Sequence, residues 1–199
     1  MKKISILLLS LFTTISFSQT DDIIDSSDSM SKFYFGIGLG VAIPGGDLAE
    51  NLEVGLDLQF INLGYRFSET WGATLNLVSS GHLVDGTDAT FGFGFIGIGP
   101  MFTQNLSEKI SWDFKPQLAL NVMGLEVEEG YEDYEYEGSG FVIGNSLVFG
   151  SPGKGFNFSI NLDGFFGKIT EQVEPTSIKL TDNNSVSNIK IGVGVRYNF

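Results

Sequence analysis

Residues 33–43 read Phe33-Tyr34-Phe35-Gly36-Ile37-Gly38-Leu39-Gly40-Val41-Ala42-Ile43. Phe33, Phe35, Ile37, Leu39, Val41 and Ile43 share one parity, and Tyr34, Gly36, Gly38, Gly40 and Ala42 share the other. Period two marks a strand, because successive side chains leave on opposite faces. Here one face is large and apolar and the other is nearly bare. A half-buried strand of a water-soluble protein carries charged residues on its second face. A small barrel in a membrane turns its apolar face to lipid and its small or polar face inward.

The same pattern returns down the chain. It predicts strands over 56–67, 71–77, 91–102, 110–122, 140–149, 156–166 and 189–199. The strand over 110–122 alternates most cleanly. Ile110, Trp112, Phe114, Leu118, Leu120 and Val122 oppose Ser111, Asp113, Lys115, Gln117, Ala119 and Asn121. In the second strand the apolar parity slips at Phe60-Ile61, which a β-bulge explains. A similar slip is expected at Phe95-Ile96 of the fourth.

The connections alternate in length. Ser68-Glu69-Thr70, residues 103–109 and residues 151–155 are short, whereas 44–54, 79–90, 126–139 and 168–188 are long. Membrane barrels have short periplasmic turns and longer outside loops. The fold expected is therefore all-β: a transmembrane, up-and-down, antiparallel β-barrel of about eight strands.

The remaining composition agrees. Lys2 and Lys3 precede an apolar run from Ile4 to Leu11, and Ser16-Phe17-Ser18 is a small-x-small site, so residues 1–18 are expected to be a secretory signal peptide. Loss of those two lysines takes the formal net charge from −13 to −15, which argues against nucleic acid as a partner. The chain has no cysteine, so disulfides, thiolate metal sites and a lipid anchor on cysteine are excluded. Its 26 glycines and 18 phenylalanines disfavour helix. No later segment is long and apolar enough for a membrane helix. Residues 19–32 are acidic and aperiodic, and are expected to form a flexible periplasmic tail ahead of a barrel domain over 33–199.

The final strand, Ile189-Lys190-Ile191-Gly192-Val193-Gly194-Val195-Arg196-Tyr197-Asn198-Phe199, is apolar at every second position and ends on an aromatic. It resembles the terminal strand by which outer-membrane proteins are recognised for assembly. Residues 33–199 as a whole are similar in plan to the small OmpA/OmpX-type barrels and to the "outer membrane protein β-barrel" families common in Bacteroidota. The resemblance implies residence in the outer membrane of a Gram-negative cell. It also implies contact with outer-membrane lipid and lipopolysaccharide, and an assembly signal at Val195, Tyr197 and Phe199 read by the barrel-assembly machinery. It carries no catalytic motif and no cofactor.

Several groups bear on function. Arg66, Asp113, Lys115 and Arg196 have inward parity near the short-turn ends of their strands, so they are expected to meet as a salt-bridged plug or, alternatively, to line a selective pore. Trp71, Trp112, Tyr65, Tyr197 and Phe199 have outward parity at the same end, as an aromatic girdle requires. Glu128, Glu129, Glu132 and Asp133 are weak candidates for a hard cation, since calcium takes several carboxylate oxygens but the spacing specifies no loop. His82 stands near Ser79, Ser80, Asp85 and Asp88 and is read as a surface histidine. The alternative is a rim enzyme that modifies lipid, with His82 as the base for a serine. Gly92-Phe93-Gly94-Phe95-Ile96-Gly97 fits a dinucleotide fingerprint in letters, but Ile98-Gly99-Pro100 cannot open the helix that fingerprint needs. The function expected is a structural or surface-interaction barrel without enzymatic activity. The alternatives are a porin-like channel and the rim enzyme.

Overall fold

The computed structural model describes residues 31–47, 50–87, 89–126, 134–174, 178–180 and 184–199. Its elements are β1 (Phe33–Gly46), β2 (Gly55–Arg66), β3 (Trp71–Leu83), β4 (Thr90–Ser107), β5 (Ile110–Glu126), β6 (Tyr134–Phe149), β7 (Gly155–Glu174), β8 (Ile178–Lys179) and β9 (Ser185–Asn198). The two-residue β8 only extends the edge of β7 above the wall. The other eight form one antiparallel sheet in the order β6-β5-β4-β3-β2-β1-β9-β7, and β6 also pairs with β7. The sheet therefore closes on itself, with β9 bonded to β1 on one side and β7 on the other. Closure leaves no wall edge with unpaired backbone groups, which hydrocarbon could not satisfy.

The exterior is apolar. Ile37, Leu39, Leu56, Leu58, Leu118, Leu120, Phe158, Ile160 and Val193 all stand exposed on the outside, and Leu118 is 76% exposed. In water such a surface would drive association; in a bilayer it is the face that lipid covers. At the short-turn end it carries a belt of touching rings. Phe156, Tyr197, Phe199 and Phe33 form one chain of contacts, Tyr65 and Phe67 another, and Trp71, Phe102, Trp112 and Phe114 a third. The Trp112 indole N–H donates to Asn145 Oδ1 at 3.3 Å, so two polar groups on the lipid-facing side satisfy each other.

The bulge expected in β2 is present. Pairing with both neighbours skips Phe60, so Leu56, Leu58 and Phe60 face out on one parity and Leu63 and Tyr65 on the other. The slip expected in β4 is absent. Phe91, Phe93 and Phe95 are buried, Ile96 and Ile98 are exposed, and the register with β3 runs unbroken from Thr90 to Phe102. The upper part of β4 has turned its phenylalanines inward and its glycines to the outside.

Strands also run past their apolar patterns. β3 reaches Leu83, β6 starts at Tyr134 and β7 continues to Glu174, so the long connections are shorter than the polarity of their sequences suggests. A ladder once paired continues into water, because backbone hydrogen bonding does not require the apolar alternation.

Two outcomes follow from a closed, lipid-facing wall. The chain in outer membranes should run as a detergent-resistant band on a gel when unboiled and shift in mobility on boiling. Leu118→Lys, at mid-wall, should destabilise the folded state by about 2–4 kcal/mol in a reversible urea titration in lipid. A cost near zero would place that face in water.

Candidate functional site

The interior has three levels. At the short-turn end, Asp113 of β5 and Arg196 of β9 meet across the lumen, with Arg196 Nη1 donating to Asp113 Oδ2 at 2.5 Å. The other carboxylate oxygen accepts from Thr103 Oγ1 at 2.8 Å. Tyr34 of β1 lies beneath both arginines, its ring 4.4 Å from the Arg196 guanidinium and 5.6 Å from that of Arg66. The ring lies flat over Gly64, where an added methyl would stand 2.0 Å from it, so only glycine fits. Arg66 donates through Nη1 to the Ser31 carbonyl at 3.2 Å.

Lys115, also buried, stands one inward step above Asp113 on β5. Its neighbour across β6 is Gly144, and beyond that is Asp163 of β7. A Cβ at Gly144 would come within 2.9 Å of the Asp163 carboxylate, so the glycine keeps the gap between these charges open. Asp163 in turn pairs with Lys190 of β9, whose Nζ donates to Asp57 Oδ1 of β2 at 2.6 Å. Arg66, Asp113, Lys115 and Arg196 thus belong to a larger interior network that includes Asp163, Lys190 and Asp57. Inward parity marks these last three as well: Asp163 faces in opposite Leu162, and Lys190 opposite Ile189 and Ile191. Gln117, Asn121, Ser146 and Asn161 hold buried polar atoms with no protein partner, so this wall of the lumen is built for water.

His82 is buried, with 2% exposure, and faces the lumen from β3. It is not on the surface, because β3 continues through Leu83 and even-numbered residues of this strand point inward. Its Nδ1 is 2.9 Å from the Glu53 carbonyl, which can only accept; Nδ1 therefore carries the proton and Nε2, 3.0 Å away, accepts from Ser80 Oγ. Asn188 Nδ2 donates to the same hydroxyl at 3.1 Å. The structure brings Ser80 and His82 together and turns Ser79 outward. Asp85 sits in the turn beyond the strand, and Asp88 lies outside the described residues. A backbone carbonyl, not a carboxylate, orients the imidazole.

Beside the His82–Ser80–Asn188 group, the lumen at the long-loop end is filled by apolar side chains. Phe91, Phe93, Phe95, Val78, Met123, Val142, Phe165, Ile169 and Val186 form one buried cluster. Phe93 of β4 and Phe165 of β7 are 5.0 Å apart although their strands are not neighbours, so the contact crosses the lumen. Leu52, Val84 and Leu180 pack on the cluster from above. Lys190 Nζ sits 4.8 Å from the Phe95 ring, joining the apolar and charged levels. The glycines of 92–97 belong to a strand that runs on to Ser107, with no helix after it.

Residues 31 and 32, the described end of the segment read as a tail, are pinned at the short-turn mouth. Ser31 N donates to Pro152 O, Ser31 Oγ to Phe199 O, and Arg66 N to Lys32 O. Residues 1–30, which include the segment read as a signal peptide, and Glu128, Glu129, Glu132 and Asp133 lie outside the described residues.

Neisserial surface protein A (NspA) shares this fold with a TM-score of 0.62 at 14% identity, over 84% of this chain and 97% of that one. Ail, the attachment invasion locus protein of Yersinia pestis, matches with a TM-score of 0.50 at 17% identity, over 85% of this chain and all of that one. Ail in complex with the heparin analogue sucrose octasulfate matches equally well, at 16% identity. No protein-family model matches the sequence, and no curated protein matches it. At such identities the likeness is one of fold, and that fold is the eight-stranded outer-membrane β-barrel.

Removing one partner of a buried ion pair strands the other in a poorly solvating place. Arg196→Met should therefore cost about 3–5 kcal/mol of folding stability in lipid. Asp113→Asn should cost at least as much, because it takes the shared carboxylate from both Arg196 and Arg66. Equal stability of all three chains in urea titrations would show that the pair does not hold the lumen together.

Proposed function

We propose that this protein is an integral outer-membrane barrel with a structural or surface-interaction role, its lumen closed and its contacts made by the long loops. The observation that carries the proposal is the apolar cluster across the upper lumen. A pore for small solutes needs a continuous polar path. Here Phe93 and Phe165 meet edge to face across the centre, and loop residues Leu52, Val84 and Leu180 cover them. The Arg196–Asp113 and Lys190–Asp57 pairs add two further ties across the same space.

The lipid-modifying reading receives less support. Ser80 and His82 are in contact but enclosed within the barrel wall, where an acyl chain in the membrane does not reach them. The apolar exterior supports contact with outer-membrane lipid. At the long-loop end stand the acidic residues Asp47, Glu50, Glu53, Asp85, Glu135 and Glu137. A polyanion such as the heparin analogue bound by Ail would meet repulsion there, and contact with lipopolysaccharide would need bridging divalent cations. Assembly through the barrel machinery is supported by the position of Val195 and Tyr197 on the lipid-facing side of β9 and of exposed Phe199 just beyond it.

Liposomes containing the purified protein should not swell in iso-osmotic solutions of small sugars. The pair Phe93→Ala with Phe165→Ala, which empties the middle of the cluster, should admit them. Swelling by the parent chain at porin-like rates would sink the closed-lumen reading in favour of a channel. Removal of Phe199 should lower the folded, heat-modifiable fraction in outer membranes; an unchanged fraction would remove the assembly role of that residue.

A further inference from the structure

Pro100 of β4 and Pro116 of β5 stand inside strands that have a neighbour on each side. Proline has no backbone N–H, so within sheets it is normally confined to edges, strand starts and bulges. Neither residue is at such a place. The register between β4 and β5 is the same on both sides of them. Ile98 pairs with Leu118 and Phe102 with Phe114, but no pair joins Gly99, Pro100 and Met101 to Lys115, Pro116 and Gln117. The gap is a missing stretch of ladder and not a slip of register.

Both missing donors face this one ladder. β3 pairs with β4 without a break, through Ala73 opposite Pro100, and β5 pairs with β6 without a break, through Pro116 opposite Ile143. Successive residues of a strand turn their backbone groups to alternate neighbours, so the two prolines turn theirs toward each other. A hydrogen-bonded antiparallel pair exchanges two N–H···O bonds, and here both are lost. Gln117, the next residue, lies over Gly97 with both ends of its amide unpartnered, so it does not fill the gap. Both prolines have outward parity, between the Trp112–Phe114 rings and mid-wall Leu118. The break therefore lies within the hydrocarbon layer, where bare backbone is costly.

The seam where the chain ends meet is built differently. β1 and β9 pair without a break from Tyr34 opposite Asn198 to Gly46 opposite Val186. Phe199 N donates to Phe33 O, and Ser31 Oγ to Phe199 O, which ties both chain ends at the mouth.

We infer that the wall carries a built-in parting line at Pro100–Pro116. When the closed barrel opens locally in the bilayer, it opens sideways between β4 and β5 and not at the seam of the chain ends. The line lies on β4 below the apolar cluster of Phe91, Phe93 and Phe95. Local opening of this kind is set by the ladder bonds that must break, and this stretch has the fewest to lose.

The test is amide hydrogen exchange, read by NMR, on the mature chain folded in lipid nanodiscs. The amides of Ile98, Phe102, Phe114 and Leu118, which flank the break, should exchange about ten-fold faster than those of Leu39, Gly40, Gly192 and Val193 in the seam. Pro100→Val with Pro116→Val supplies both missing donors. In that chain the flanking amides should slow to the rate of the seam, and unfolding in urea should slow by about ten-fold. Either single substitution restores one donor and should give an intermediate rate, which keeps the test decisive if the double variant folds poorly. Equal protection of the two regions in the parent chain overturns the parting line, as does faster exchange at the seam. Flanking exchange that no proline substitution slows overturns it too, because the missing donors would then not be its cause.

Discussion

Every backbone N–H and C=O that crosses a bilayer must find its partner within the protein, and here that requirement is met by the pairing of β9 with both β1 and β7. Once the sheet closes with eight strands, the width of the interior is set and cannot adjust to its contents. The side chains must adjust instead. This is why bare glycine faces and very large side chains occur on the same wall. Tyr34 lies where Gly64 leaves room, and the Lys115–Asp163 gap exists because residue 144 has no side chain.

The interior is divided by chemistry along its length. Phenylalanines fill the loop end, where Leu52, Val84 and Leu180 exclude water from above. Charges fill the turn end and the middle, where four cations face three carboxylates and unpartnered amides line the β5–β7 wall. The apolar level is close-packed and needs no partner. The charged level ties together strands that are not paired with each other, β9 to β5 through Arg196–Asp113 and β9 to β2 through Lys190–Asp57. Lys190 belongs to both, through Asp57 and through the face of Phe95.

β4 shows how a local rule gives way to a global one. Its apolar residues change parity at Phe95-Ile96, and the usual physical cause is a bulge, as in β2 at Phe60. In β4 the strand stays regular and the environment changes instead. Its lower half faces lipid with Ile96 and Ile98, and its upper half faces an apolar interior with Phe91, Phe93 and Phe95. Large apolar groups are stable on either side of the wall, provided the lumen at that level is dry. His82 differs from expectation for a related reason: its strand extends beyond the apolar pattern, and parity then carries it inward.

The sequence alone determined that the chain is built of alternating strands, that about eight of them close into a barrel, and where the short turns fall. Period two, glycine on one face and aromatics at one end are local consequences of a wall with lipid outside and little space inside. It also marked Arg66, Asp113, Lys115 and Arg196 as inward, because parity is a property of a single strand. Which inward residues meet is not such a property. Arg196 reaches Asp113, Lys190 reaches Asp57 and Phe93 reaches Phe165 only because strand tilt and register bring remote strands to one level across the lumen. Those quantities belong to the closed barrel as a whole, so the division of the lumen and the burial of His82 were decided by tertiary structure.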